Sequence, residues 1–217
     1  MNSKKINMKF FKISICVISV LFSSGIFAGN EDRAGSAGAT DLLVNPWARS
    51  SAWGSAGISS VNGLEGIFLN VAGLAYAEQT EIQFARTNWM GNISGIGLNA
   101  AGFAQRVGEA GVLGVSFVSM NYGDIEITTT ELPEGGIGYF NPSSINLTLS
   151  YAKKFSSSIS GGMNLKIVSQ SISNVGAQGV AIDAGIRYVT GEQDNIKFAI
   201  SLKNVGPPMS FSGDGLT

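Results

Sequence analysis

From about residue 81 onward, apolar and polar residues alternate with a period of two. In the clearest segment, Ile145 and Leu147 alternate with Asn146 and Thr148. Such alternation predicts a β-strand with one apolar face and one polar face. The same pattern predicts seven strands, at residues 81–88, 93–104, 111–121, 143–153, 159–170, 178–188 and 196–204. The chain is therefore predicted to be an all-β protein.

The length of these strands and the scarcity of charge favour a transmembrane barrel over a secreted soluble sandwich. The segments span about 9–12 residues, close to the number that a tilted strand needs to cross a bilayer. Only 13% of the residues are charged, about half the share in ordinary soluble domains. The polar faces also carry charges that the core of a small sandwich would not hold unpaired: Lys166, Asp183, Arg187, Lys197 and Lys203. We therefore expect residues 81–217 to form strands of an antiparallel transmembrane β-barrel in the outer membrane of a Gram-negative bacterium.

The connections between the strands are alternately short and long. Short turns are expected at 105–110, 154–158 and 189–195, on the periplasmic side, and the long connection 122–142 is expected outside the cell. Seven strands is an odd number, whereas bacterial single-chain barrels have even numbers. An eighth strand within 29–60 is one explanation. The favoured explanation is that the barrel is incomplete, so that the chain is part of a longer protein.

The first 28 residues have the features of a secretory signal peptide. Lys4, Lys5, Lys9 and Lys12 precede an apolar run at 13–26, and the segment ends at Ala28. The apolar run is too short for a transmembrane helix, and no later apolar run approaches the necessary length. Residues 1–28 are therefore expected to be removed on export.

The predicted mature chain lacks the residues of several functional classes. Its only cysteine, Cys16, leaves with the signal peptide, and the sequence contains no histidine, so Ser–His hydrolase and thiolate chemistry are not expected. Ten basic residues remain against 15 acidic ones, a net charge of about −5, which gives no basic surface for nucleic acid. The acidic residues of 122–142 do not have the spacing of a calcium loop. We expect no enzyme activity, no cofactor and no metal site.

Residues 29–80 precede the first strand and show no periodicity. The stretch GLEGIFLNVAGLAY at 63–76 is apolar and rich in glycine, yet it contains Glu65 and Asn70. A hatch, or plug, inserted into the mouth of the barrel would shelter such a segment. Its glycines would permit tight turns, and Glu65 and Asn70 would bond to unpaired backbone groups. An amphipathic helix or an extra strand across the end of the barrel is the alternative.

Three stretches carry a resemblance to a known family: AGSAGATDLLV at 34–44, GLEGIFLNVAGLA at 63–75 and NVGPPMSFSGDG at 204–215. They resemble the PorV/PorQ family, outer-membrane proteins of the type IX secretion system, and the resemblance extends over residues 34–217. That family is similar to the FadL group of long-chain fatty-acid channels, which has a 14-stranded barrel and an Asn-Pro-Ala-Gly hatch motif. The resemblance implies the N-terminal half of such a barrel.

The hatch motif of that group is matched here at three of its four positions. Asn70, Ala72 and Gly73 match, and Glu65 belongs to the same segment. Val71 stands where the usual motif has proline, which would fix the turn and remove a hydrogen-bond donor.

Three functions follow from these observations. The resemblance implies a secretion component that binds or shuttles cargo carrying C-terminal sorting signals, in contact with outer-membrane lipid and with a translocon or attachment complex. A FadL-like channel for hydrophobic small molecules is the second, although the inward residues are mostly polar, and a secreted soluble adhesin is the third. The partner surfaces would be 122–142 and 204–217, through apolar residues expected to be exposed: Ile137, Tyr139, Phe140, Met209 and Phe211.

Overall fold

The structure is a computed structural model, and it describes residues 39–89, 95–109 and 111–213. These residues belong to one compact unit, Gly35–Thr217. The predicted signal peptide at 1–28 and the first residues of the predicted hatch lie outside the described residues. Strands account for 53% of the described residues and helices for 13%, which confirms the prediction of an all-β protein.

Each of the seven predicted segments overlaps a long strand, and three short strands were not predicted. Their bounds are β1 Thr80–Asn88, β2 Gly97–Val107, β3 Gly111–Asn121, β4 Ile125–Glu126, β5 Tyr139–Phe140, β6 Ser143–Lys154, β7 Ile159–Ile172, β8 Val175–Thr190, β9 Ile196–Val205 and β10 Ser212–Gly213.

The long strands form a single antiparallel sheet. The order is β1-β2-β3-β6-β7-β8, with β9 paired to the second half of β8 and β10 to its first two residues. β4 and β5 form a separate hairpin within the long connection 122–142. The sheet is open in the described part of the chain, because β1 pairs only with β2, and β9 only with β8.

Several strand ends differ from the sequence prediction. Half of the turn predicted at 105–110 is strand, because Gln105 to Val107 pair with the start of β3. β7 and β8 extend further than predicted and are joined by a two-residue turn, in which Ser173 has a φ of 53°. Periodicity missed these ends because the alternation fades where both faces of a strand reach solvent.

Residues 40–76 fold into five short helical turns rather than one amphipathic helix or an added strand. Two are α-helical, α1 (Ala48–Ala52) and α2 (Gly66–Leu69). Three are 3₁₀ turns, at Thr40–Leu43, Gly63–Glu65 and Val71–Tyr76. In the described ranges, no helix is long and apolar enough to cross a membrane.

These helical turns cover the face of the sheet that carries small and polar residues. The main cluster packs the apolar side chains of Leu64, Ile67, Val71 and Leu74 against small or branched residues of β2, β3 and β6: Ala104, Val112 and Ala152. The opposite face of the sheet carries the large apolar side chains and is exposed. On β6, for example, Thr148 and Ser150 are buried whereas Leu147 and Leu149 are exposed.

Candidate functional site

The described part of the predicted hatch, residues 39–79, is called the hatch segment. Hydrogen bonds of the Asn70 side chain connect its turns. The Asn70 side chain is 1% exposed. Its Nδ2 donates to the carbonyl oxygen of Ile58 at 3.0 Å, and its Oδ1 accepts from the backbone N–H of Ala72 at 3.0 Å. Nδ2 also lies 3.4 Å from the carbonyl oxygen of Ile186 on β8. One side chain therefore closes the turn of the motif and links it to the sheet.

The glycine of the motif is required by close packing. A Cβ on Gly73 would lie 2.4 Å from the carbonyl oxygen of Val61, and its backbone does not have a positive φ. The same holds on the sheet, where a Cβ on Gly185 would lie 2.0 Å from Oδ1 of Asn70. The tight-turn role expected for the glycines of this segment applies to Gly63, whose φ is 73°.

Val71 and Ala72 are both buried in the interface with the sheet. The Val71 side chain lies against two glycines of the sheet, where added Cβ atoms would come within 3.0 Å of it at Gly162 and 3.3 Å at Gly185. At this position, where the usual motif has proline, valine fills the space above the two glycines.

Within the described residues, Glu65 has an ion pair in place of the hydrogen bond to the backbone that was expected. It is buried, and its Oε1 forms an ion pair with Nε of Arg49 at 3.2 Å. The backbone role belongs instead to Glu81 at the start of β1, which accepts from the N–H of Leu64 at 3.0 Å and from that of Glu78 at 2.9 Å. Periodicity placed Glu81 in a strand and gave no signal for this contact.

A buried ion pair lies beneath the centre of the hatch segment. Nζ of Lys166 is 2.7 Å from Oδ2 of Asp183, and each side chain is 3% exposed. Asn164 donates to Oδ2 of Asp183 and to the carbonyl oxygen of Ile67, both at 2.8 Å. The pair and its amide neighbour thereby attach α2 to the sheet.

A β-bulge in β9 completes this network. The register between β8 and β9 shifts between Ile182 and Ala184, and Asn204 adopts a φ of 57°. As a result, the backbone N–H of Asn204 donates to Oδ1 of Asp183 at 2.7 Å. The side-chain Oδ1 of Asn204 accepts from Nζ of Lys166, also at 2.7 Å. Asp183 therefore accepts three hydrogen bonds, which satisfies most of its acceptor capacity.

The other predicted inward charges take different positions. Arg187 is buried and donates to the carbonyl oxygen of Val61 at 2.9 Å and to Asn62 at 2.7 Å, with its guanidinium 4.2 Å from the ring centroid of Tyr76. Lys203 is half-buried and lies over the ring of Phe68. Lys197, expected on the polar face, is exposed on β9.

The start of the hatch segment is also attached to the sheet by hydrogen bonds. The Asp41 carboxylate accepts from the hydroxyl of Ser144 on β6 and from Nε2 of Gln170 on β7. Tyr122, which follows β3, is close to this carboxylate. Burial raises the pKa of the Tyr122 hydroxyl above its usual value of 10.0, and the Asp41 charge raises it further.

The five predicted partner residues lie in two parts of the chain, the long connection 122–142 and the segment that follows β9. Ile137 and Tyr139 are exposed, and Phe140 is half-buried, in or beside the β4–β5 hairpin. Phe211 is half-buried and borders a crevice with Tyr122. The expectation that Met209 is exposed was wrong: it is 8% exposed, because it packs into a small cluster with Leu42, Val168 and Ala177.

Several cavities border the hatch segment, among them a larger and a smaller one. The larger has a volume of about 570 Å³ and is lined by residues of the hatch segment that include Arg49, Trp53 and Glu65. The smaller, of about 180 Å³, lies between Leu42, Met209 and the covered face of β7 and β8. Across the described ranges, no three His, Cys, Asp or Glu side chains are grouped to hold a metal ion.

No family model matches the sequence, and no curated protein matches it.

Proposed function

We propose that the sheet is part of a transmembrane barrel wall in the outer membrane, the N-terminal half of a FadL-like barrel of about 14 strands, and that the hatch segment fills its lumen. One observation carries this proposal: the large apolar side chains are on the exposed face, while Lys166, Asp183 and Arg187 are buried beneath the hatch segment. A soluble protein has the opposite arrangement, because burial of apolar surface drives folding in water.

The exposed face carries large apolar side chains on every long strand. Soluble monomers rarely expose apolar patches larger than a few hundred Å², and larger ones mark membrane or partner contacts. The residues that form this face include Ile82, Phe84, Phe103, Leu113, Phe117, Leu147, Leu149, Leu165, Ile167, Val180, Ile186, Phe198 and Ile200. Lipid is the occupant that covers so many strands at once.

Among outer-membrane barrels, we assign the chain to a type IX protein secretion system, as a component that binds or shuttles cargo with C-terminal sorting signals. The resemblance to the PorV/PorQ family supports this assignment. The β4–β5 hairpin supports it too, because it extends Ile137 and Tyr139 from the sheet at the end where β3 ends and β6 begins. An exposed hairpin with apolar side chains is suited to strand-like docking of a peptide.

The test is the protein content of the culture fluid and periplasm, measured by mass spectrometry with and without this gene. Cargo with type IX signals is expected to accumulate in the periplasm of the deletion strain. Tyr139→Ser in the hairpin is expected to reproduce part of the defect. The matched control is Phe155→Ser, because Phe155 is an exposed aromatic residue in a turn at the opposite end of the sheet. An unchanged distribution in the deletion strain refutes the assignment.

A FadL-like channel for hydrophobic small molecules is the second candidate, and the smaller cavity favours it. That cavity lies between the hatch segment and the sheet, and Leu42, Val168, Ala181 and Met209 give it an apolar lining. Filling it with Met209→Trp should reduce uptake of a labelled long-chain fatty acid and leave the cargo distribution unchanged. Uptake that does not depend on the gene excludes this candidate.

A further inference from the structure

The larger cavity lies entirely within the hatch segment, away from the hairpin. Asn62, at its wall, accepts from Arg187 near the end of β8, so this wall of the cavity lies near the end of the sheet that has the short turns. Its volume of about 570 Å³ is in the range of small-molecule sites. Neither the Lys166–Asp183 ion pair nor the β4–β5 hairpin borders it.

The buried carboxylate of Glu65 is on the wall of this cavity with one oxygen unused. Glu65 is 5% exposed, and its Oε1 pairs with Arg49. Its Oε2 is buried and has no hydrogen-bond partner in the described part of the chain. A buried carboxylate oxygen without a donor is costly, and native structures rarely leave one unsatisfied. A ligand that supplies an N–H donor would remove this cost.

Two further side chains, Trp53 and Arg49, indicate which kind of ligand would carry this N–H donor. Trp53 lines the cavity and is 75% exposed, so its indole ring offers an aromatic surface at the rim. Aromatic faces attract ammonium and guanidinium groups and also pack against their methylene stems. The Arg49 side chain is 68% exposed, so the arginine side of its ion pair with Glu65 reaches solvent.

We propose that this cavity binds a primary ammonium or guanidinium group on an apolar stem, with Glu65 Oε2 as the acceptor and Trp53 against the stem. The site is separate from the proposed secretion role, because its contacts lie in the hatch segment. Either the side chain of a lysine or arginine in a peptide, or a free alkylamine, has this chemistry.

The experiment is isothermal titration calorimetry on the full chain, folded in detergent micelles. The probes are N-acetyl-lysine methylamide, cadaverine and the neutral N-acetyl-norleucine methylamide. A charged probe should bind at least about tenfold more tightly than the neutral one, since a charge-assisted hydrogen bond is gained. Binding of the lysine derivative alone identifies a peptide as the source, and binding of cadaverine alone identifies a free amine.

Variants test the assignment to Glu65. Glu65→Gln keeps the size of the side chain and should weaken binding of the charged probe at least about tenfold. Glu192→Gln is the matched control, an exposed carboxylate in a turn at the same end of the sheet, and should leave binding unchanged. Trp53→Ala should weaken binding of all three probes. Equal binding of the charged and neutral probes to the unaltered chain overturns the proposal, and so does the absence of binding.

Discussion

Replacing Asp183 by asparagine tests whether the ion pair beneath the hatch segment is as buried as the structure shows. Asparagine keeps the size of the side chain but removes the negative charge that Lys166 faces at 2.7 Å. Both side chains are 3% exposed, so water does not replace the lost partner. Removing one member of a buried pair costs about 3–5 kcal/mol, because the other charge is left uncompensated.

The contacts of the pair predict that its two members are not equivalent. Asp183 also accepts from the side chain of Asn164 and the N–H of Asn204, so it retains two donors when Lys166 is removed. When Asp183 is neutralised, Lys166 loses its charged partner and keeps only neutral acceptors, and the NH2 of the new amide group faces an existing donor. Asp183→Asn should therefore lower the free energy of unfolding more than Lys166→Met.

The assay is urea-induced unfolding in detergent micelles or lipid vesicles, followed by tryptophan fluorescence. Lys197→Met is the matched control, because Lys197 is exposed on β9 and its replacement should change the free energy of unfolding by less than about 0.5 kcal/mol. An Asp183→Asn variant that is as stable as this control would refute the burial of the pair and the packing of the hatch segment above it.

Two other substitutions follow from the same interface. Gly185→Ala places a Cβ 2.0 Å from Oδ1 of Asn70 and should destabilise the protein by about 1–3 kcal/mol, seen as a lower urea midpoint than for alanine at the open Gly97. The raised pKa of Tyr122 means that the stability contributed by its neutral hydroxyl is complete below pH 10.0 and is lost as the pH rises through the raised value. Tyr122→Phe should remove this part of the alkaline loss of stability, whereas phenylalanine at the exposed Tyr139 should not.

The strands were predictable because one physical requirement repeats along each of them. Ile145, Leu147 and Leu149 must all lie on one face, and the sequence displays that requirement directly. The short strands β4 and β5 were missed, since two residues cannot display a period. Their pairing depends on contacts across the long connection instead.

The hatch segment was only partly predictable. Its position before the first strand and the importance of Asn70 were inferred from the sequence. The helical turns were not, because turns of three to six residues do not reach a second helical repeat. The partners of Glu65 and Met209 were missed for another reason: Arg49 is 16 residues before Glu65, Val168 is 41 before Met209, and only the folded chain brings them together.

The exposed apolar face also leads to a prediction about the edges of the sheet. In the described part of the chain, β1 and β9 each have one neighbour, which leaves two rows of backbone groups available for pairing. Such groups are too costly to leave unpaired within a bilayer. If the sheet spans a membrane, further strands must pair with both edges, as the proposed barrel of about 14 strands requires.

The orientation of side chains relative to lipid is the most direct test of the membrane proposal. The only cysteine, Cys16, is in the predicted signal peptide, so single cysteines can be introduced for spin labels without a competing thiol. After reconstitution into lipid vesicles, labels at Leu147 and Leu149 should be accessible to oxygen and shielded from a water-soluble nickel chelate. Labels at the buried Thr148 and Ser150 should be shielded from both, giving a period of two. Ready access of the nickel chelate to the labels at Leu147 and Leu149 would contradict a membrane-embedded sheet.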